Sequence, residues 1–260
     1  MKKLWVILVS ASICAGLGGC HPAPAPAQSD DSTTLRAAGY AAAPEVTGVT
    51  QAAPGMIAVE GLALPDSRVR FQYGRETPLR IGVTADSKGR FLAELPASPQ
   101  GSVFDLFAMD DAGRLVHAEG RLFVPPDQPG KAVMMRPGMP SLPVYSQTSG
   151  LAVVDYDSAG AFAVAGRVAP RSSVNLTVGD VHVQRTSDAQ GYFNAVMQIP
   201  QPTEQVMPLN LQVEAGGAIW KRDIGVSRAT GESDQVTPLP QGWRIDWKVP
   251  GGGLQTTLVF

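Results

Sequence analysis

The side chains able to do chemistry are few and far apart. Histidine titrates nearest neutral pH, and the chain has three, His21, His117 and His182, spread along its length. That spread argues against a shared metal site. The run Asp155-Tyr156-Asp157-Ser158-Ala159-Gly160 has the acid spacing of a calcium loop. Ala159 supplies no ligating oxygen, however, and Gly166 stands where the closing acid belongs, so the run reads as a turn. Asp110-Asp111-Ala112-Gly113 reads as a hairpin turn. Two cysteines, Cys14 and Cys20, cannot make a four-thiolate zinc site. No Gly-x-Ser-x-Gly, His-Glu-x-x-His or P-loop string occurs, and no Ser/His/Asp set stands out. The expectation is no catalytic residue, no metal and no cofactor. What remains is a group of tryptophans near the C-terminus, Trp220, Trp243 and Trp247. They form either an aromatic face for a glycan or protein partner, since tryptophan is enriched at binding hot spots, or the buried side of a terminal hairpin packed on the body.

The composition narrows the elements that could position these residues. Among 260 residues are 28 glycines and 22 prolines, too many for a helical bundle. Charged residues are 17% and aromatics 7%, both lean for a globular enzyme. The net charge is −2 with no Lys/Arg block, so no nucleic-acid partner is expected.

The start of the chain is an address. Lys2 and Lys3 precede an apolar run from Leu4 to Val9 that continues through Ala11, Ile13 and Cys14. This is the pattern of a secretory leader, too short to span a membrane comfortably. It ends Leu17-Gly18-Gly19-Cys20, which resembles the lipobox of bacterial lipoproteins. The resemblance implies cleavage before Cys20, a diacylglyceryl thioether on its sulfur and a further acyl group, such as palmitate, on the new amine. His21 in place of aspartate after the cysteine implies export to the outer membrane. Residues 20–44 follow as a tether. The stretch from His21 to Ala27 alternates proline with alanine and favours polyproline II. At about 3.1 Å per residue, that stretch holds the body roughly 20 Å off the membrane.

The body carries an internal repeat. Ile57-Ala58-Val59-Glu60-Gly61, then Pro65, Ser67, Val69 and Gly74, faces Phe162-Ala163-Val164-Ala165-Gly166, then Pro170, Ser172, Val174 and Gly179, at one constant offset. Thr84-Ala85-Asp86-Ser87-Lys88-Gly89-Arg90-Phe91 faces Thr186-Ser187-Asp188-Ala189-Gln190-Gly191-Tyr192-Phe193, the offset now three residues shorter. Val69, Phe71 and Tyr73 alternate with polar residues, as do Val174, Leu176 and Val178, the period-two pattern of strands with one buried face. In each Asp-x-x-Gly the aspartate caps backbone N–H groups and the glycine takes a positive φ. Phe91 and Phe193 then open the next strand pointing inward. Gly179-Asp180 and Gly216-Gly217 read as hairpin turns.

Gly-x-x-x-Pro-x-Ser-x-Val followed by Thr-x-Asp-x-x-Gly-x-Phe resembles bacterial Ig-like and carboxypeptidase-regulatory-like modules, though neither copy has their regular end strand. The resemblance implies an all-β chain with two tandem antiparallel sandwiches. Residues 1–19 are read as leader, 20–44 as lipidated cysteine and tether, 45–137 as module 1, 144–228 as module 2, and 229–260 as a loop and C-terminal β-hairpin. Within the last segment the proline-bearing Thr230–Gln241 reads as loop. Trp243, Ile245 and Trp247 alternate with Arg244, Asp246 and Lys248, and Leu254–Phe260 resumes a strand pattern. The function expected is non-enzymatic: a lipid-anchored outer-membrane lipoprotein serving as spacer or protein-interaction scaffold of the cell envelope. A carbohydrate-binding surface on Trp220, Trp243 and Trp247 is the alternative. A hydrolase or inhibitor with an inter-module site comes third.

Overall fold

The computed structural model describes residues 42–74, 79–110, 112–145, 148–231 and 234–260. The leader, Cys20 with its expected lipids, and nearly all of the tether lie outside the described residues.

The chain is all-β. In the first half run β1 (Glu45–Ala53), β2 (Met56–Leu62), β3 (Arg68–Tyr73), β4 (Leu79–Thr84), β5 (Arg90–Pro96), β6 (Ser102–Met109), β7 (Leu115–Val124), β8 (Val133–Met135) and β9 (Leu142–Pro143). In the second run β10 (Gly150–Asp157), β11 (Ala161–Arg167), β12 (Ser173–Val178), β13 (Val181–Thr186), β14 (Tyr192–Gln198), β15 (Met207–Ala215), β16 (Ala218–Val226), β17 (Gln235–Leu239), β18 (Gly242–Lys248) and β19 (Leu254–Val259). Among the described residues four sheets form, with strand orders β1-β2-β5, β4-β3-β6-β7-β8-β9, β14-β11-β10-β19-β18-β17 and β13-β12-β15-β16.

The first two sheets make one sandwich and the last two another. Alternation dictates each interior. In the first, Ile57, Val59, Val69, Phe71, Phe91 and Leu106 are buried together, with Phe71 edge-on to Phe91 at 5.9 Å and to Phe104 at 6.4 Å between ring centres. In the second, Phe162, Val164, Val174, Leu176, Phe193 and Val213 fill the equivalent positions. The repeat is kept down to single hydrogen bonds. Asp86 Oδ1 accepts from the N–H groups of Lys88 and Arg90, and Asp188 Oδ1 from those of Gln190 and Tyr192, all at 2.8 Å. Gly89 and Gly191 both take φ 81°, and a Cβ on either would strike the carbonyl oxygen of Ala63 or Val168 within 2.3 Å. The residue between proline and serine in each Pro-x-Ser, Asp66 or Arg171, is left-handed in both copies, at φ 59° and 54°. The Asp110 and Asp157 turns use the same two carboxylate-capped N–H groups, so Asp157 is occupied with its own turn. The Arg90 N–H and guanidinium hold Asp86 below the usual aspartate range, and Arg114 does the same for Asp110.

The C-terminal strands correct the reading of residues 229–260. The hairpin β18–β19 is there, but it does not lie on a finished module: β19 pairs with the free edge of β10 along Val153–Asp157. Residues 235–239, read as loop, form strand β17 paired with β18. Pro238 fits because β17 is a sheet edge, where a missing N–H leaves no ladder bond unmade. The first sandwich has its own addition: β8 and then β9 extend its larger sheet beyond β7.

Candidate functional site

The two sandwiches do not hang as beads on a string. The larger sheet of the first and the extended sheet of the second meet face to face. Alternation along β18 sends Trp243, Ile245 and Trp247 to one side, and the pairing of β10, β11 and β19 adds Val153, Ala165 and Val259. Opposite them stand Val103 of β6, Phe123 of β7, and Val133 and Met135 of β8. This third core is dry at its centre: Phe123, Val133, Met135, Ile245 and Trp247 each have 0% of their surface exposed. The indole N–H of Trp247 donates to Thr257 Oγ1 at 3.1 Å, which meets the polar requirement of a buried ring.

Polar groups ring this core. Arg121 of β7 donates to Asp105 on its own sheet and to Asp234 of the other sandwich. The connection between the sandwiches, around residues 136–143, is fixed by Asp155, which projects from β10. Its carboxylate accepts from Ser141 N–H at 2.7 Å, Ser141 Oγ at 2.8 Å, Thr257 Oγ1 at 2.7 Å and Gln255 Nε2 at 3.3 Å. Gln255 also donates to the Arg136 carbonyl and accepts from Gly138 N–H. Asp155 is 4% exposed, and burial pushes its carboxyl above the ordinary range even against those four donors. Burial likewise pushes the Tyr192 phenol up to about 12.

Among the described residues, clefts flank the junction. One, of about 380 Å³, lies between β6–β7 and the β18–β19 turn, lined by Asp105, His117, Arg121, Lys248 and Pro250. Another, of about 670 Å³, opens where β1 begins, against Leu142, Pro143, Val144 and Arg167.

The three tryptophans do not form one exposed face. Trp247 is sealed in the junction, so its ring cannot meet a ligand. Trp243 is half-buried beside it, 6.4 Å from the Phe123 ring. Trp220 lies on β16 in another sheet, half-buried against the second core, over a glycine whose Cβ would strike its ring at 2.0 Å, Gly150. His117 stands by the Phe107 ring in the first sandwich and His182 accompanies Thr177 in the second. Among the described residues no group of three or more His, Cys, Asp or Glu could hold a metal ion. Sequence reasoning missed Asp155 and Arg121 as the junction's polar anchors. Asp155 was hidden inside an apparent acidic turn, and only Ser141, Gln255 and Thr257 brought to it from afar reveal its part.

No family model matches the chain, and no curated protein matches it. Solved structures share its β-rich outline at low similarity. The central fibronectin-III array of RIM-binding protein is 14% identical, with TM-score 0.28, covering 81% of this chain and 74% of that one. A tetra-tandem repeat from the extending region of a large adhesion protein is 14% identical, with TM-score 0.25, over 84% of this chain and 56% of that one. A Ca2+-stabilized adhesin that helps an Antarctic bacterium bind ice is 15% identical, with TM-score 0.24, over 82% and 58%. The chain thus spans little more than half the length of the two adhesin structures. Likeness at this level says nothing of ligand or partner.

Proposed function

We propose that this chain is a non-enzymatic cell-envelope lipoprotein, held at the outer membrane through lipid on Cys20 and presenting a rigid two-sandwich body as spacer or interaction scaffold. The observation that carries the reading is the closed third core. A flexible pair of modules would transmit no position or orientation, whereas two sheets joined by buried Phe123, Met135, Ile245 and Trp247 move as one body. Of the three tryptophans, Trp247 is spent on that joint, Trp243 is half-buried beside it and Trp220 lies apart on another sheet, so the scaffold reading is preferred to the carbohydrate one. Replacing Cys20 with Ser tests the anchor. The variant should leave the membrane pellet for the soluble fraction, and mass spectrometry of the wild type should find an acylated cysteine at the mature N-terminus. Wild-type protein with an unmodified N-terminus would end the lipoprotein reading. The rigid body is tested by distance measurement between spin labels on β4 and β13: one narrow distribution is expected, and a broad one refutes it.

A further inference from the structure

The repeat supplies its own control for one surface. On the outward face of the β3–β4 hairpin, Arg68 pairs with Thr84, Arg70 with Gly82 and Gln72 with Arg80. The equivalent pairs of β12–β13 are Ser173 with Thr186, Asn175 with Gln184 and Thr177 with His182. In the second sandwich two bonds run between these side chains: Gln184 Nε2 donates to Ser173 Oγ at 3.1 Å, and Thr177 Oγ1 lies 3.0 Å from His182 Nδ1. In the first, three arginines occupy the same hairpin face. Gly82 carries no side chain of its own, and the arginines lie over it: a Cβ there would sit 3.6 Å from Arg68 Nε and 3.9 Å from Arg70 Cγ, in ordinary contact with both. Arg68 and Arg80 are exposed and Arg70 is half-buried. Among the described residues none of the three guanidiniums has an ion pair or hydrogen bond, although Arg90, Arg114 and Arg121 of the same sandwich each hold a carboxylate. Among the described residues, the carboxylate nearest by register, Asp105 opposite Gln72, is taken by Arg121.

Like charges gathered on one sheet face are destabilising, and the fold does not require them, since the second copy does without. Protection of a sheet edge explains Arg80 on the edge strand β4 but not Arg68 and Arg70 one strand further in. We infer that this face docks on the phosphate headgroups of anionic lipids in the membrane that holds the anchor. Guanidinium matches phosphate oxygens in bidentate fashion. The arginines stand on the outer face of β3–β4, at the end of the sheet away from its contact with the second sandwich, and line neither cleft described above, which suits an extended array of anions better than an enclosed small molecule. The face also belongs to the sandwich that starts at Glu45, the one nearest Cys20 along the chain. The inference rests on the lipoprotein reading for its choice of membrane.

The test uses the chain from residue 20 onward with Cys20→Ser, which keeps every strand and carries no lipid, so its outcome does not depend on acylation. Its partition is measured onto vesicles mixing phosphatidylglycerol with phosphatidylcholine and onto phosphatidylcholine alone. Binding is expected only to the first, weakening as salt rises. Arg68→Ser, Arg70→Asn and Arg80→His together install the residues of the second copy, which that hairpin already accommodates. With each cation near an anionic surface contributing about a factor of five, the triple variant should bind roughly a hundredfold more weakly. Circular dichroism should show its fold intact. Arg171→Gln with Arg185→Gln, two exposed arginines of the second sandwich, should bind as the parent does. Equal partition of parent and triple variant, equal binding to both vesicles, or capture of free pyrophosphate without vesicle binding would each overturn the inference. Cys20 acylation read separately by mass spectrometry shows whether the anchor reading has failed instead.

Discussion

The two sandwiches share one plan yet are completed on opposite sheets. The first extends its four-strand sheet with β8 and β9, and the second extends its three-strand sheet with β19, β18 and β17. The added strands supply Val133, Met135, Ile245, Trp247 and Val259, most of the third core. Repeated residues therefore build each sandwich, and unrepeated residues join the pair. Duplication yields two bodies with a core each; the additions turn the outer faces of two sheets into an interior.

That division can be broken at four points. The largest effect is expected from Trp247→Ala, which empties the centre of the joint. Burying no replacement for the indole should cost about 3–5 kcal/mol, towards the upper end. Denaturant unfolding should then split into two transitions, and a single unsplit transition would mean the joint contributes little. Phe193→Ala opens a smaller cavity in the second core, at the lower end of about 3–5 kcal/mol. Hydrogen exchange should quicken in β11, β12 and β14 while β2 and β5 keep their protection. Uniform quickening in both halves would contradict separate cores. Gly191→Ala puts a Cβ at a positive φ and 2.2 Å from the Val168 carbonyl oxygen, a strain of about 1–3 kcal/mol, readable as a lowered melting temperature. The same substitution at Gly89 should match it if the repeat is as close in energy as in geometry.

The smallest effect is a slope. The Asp155 carboxyl is raised in the folded state, so the fold holds that proton to higher pH than the unfolded chain does. Its contribution is full below the ordinary aspartate value and is lost as pH rises through the folded value. Stability of the wild type should decline across that window, which opens at the ordinary value and runs upward. Asp155→Asn removes the titration and flattens the decline, while also setting an amide among donors and so lowering stability at every pH. An unchanged slope would show that Asp155 is not the group titrating. Asp86 and Asp110 act in the opposite sense: their lowered values add stability that is lost as the solution is acidified.

Much of each sandwich was legible because its signals are local. An aspartate three residues before a glycine closes a turn with its own neighbours, and alternation from Val69 to Tyr73 needs no distant partner to be read. The joint was not legible. Trp243, Ile245 and Trp247 announce an apolar face, but Met135 and Phe123 opposite are far away in sequence, and the choice between binding surface and buried seam is theirs. The strand at Gln235–Leu239 escaped for a related reason: its polar residues and Pro238 suit an edge, and whether an edge exists depends on where β18 goes.

By itself, then, the order of residues determined an all-β chain, a doubled module and the turns that define it, since hairpins and alternation are settled between residues close in sequence. Only the tertiary structure decided that the halves share a third interior and that Asp155 clasps the connection between them. It also showed three arginines without a partner among the described residues on one hairpin, where the other carries polar side chains with two bonds between them. Those outcomes depend on which surfaces lie opposite one another, and that is set by packing across long stretches of chain rather than by any local pattern.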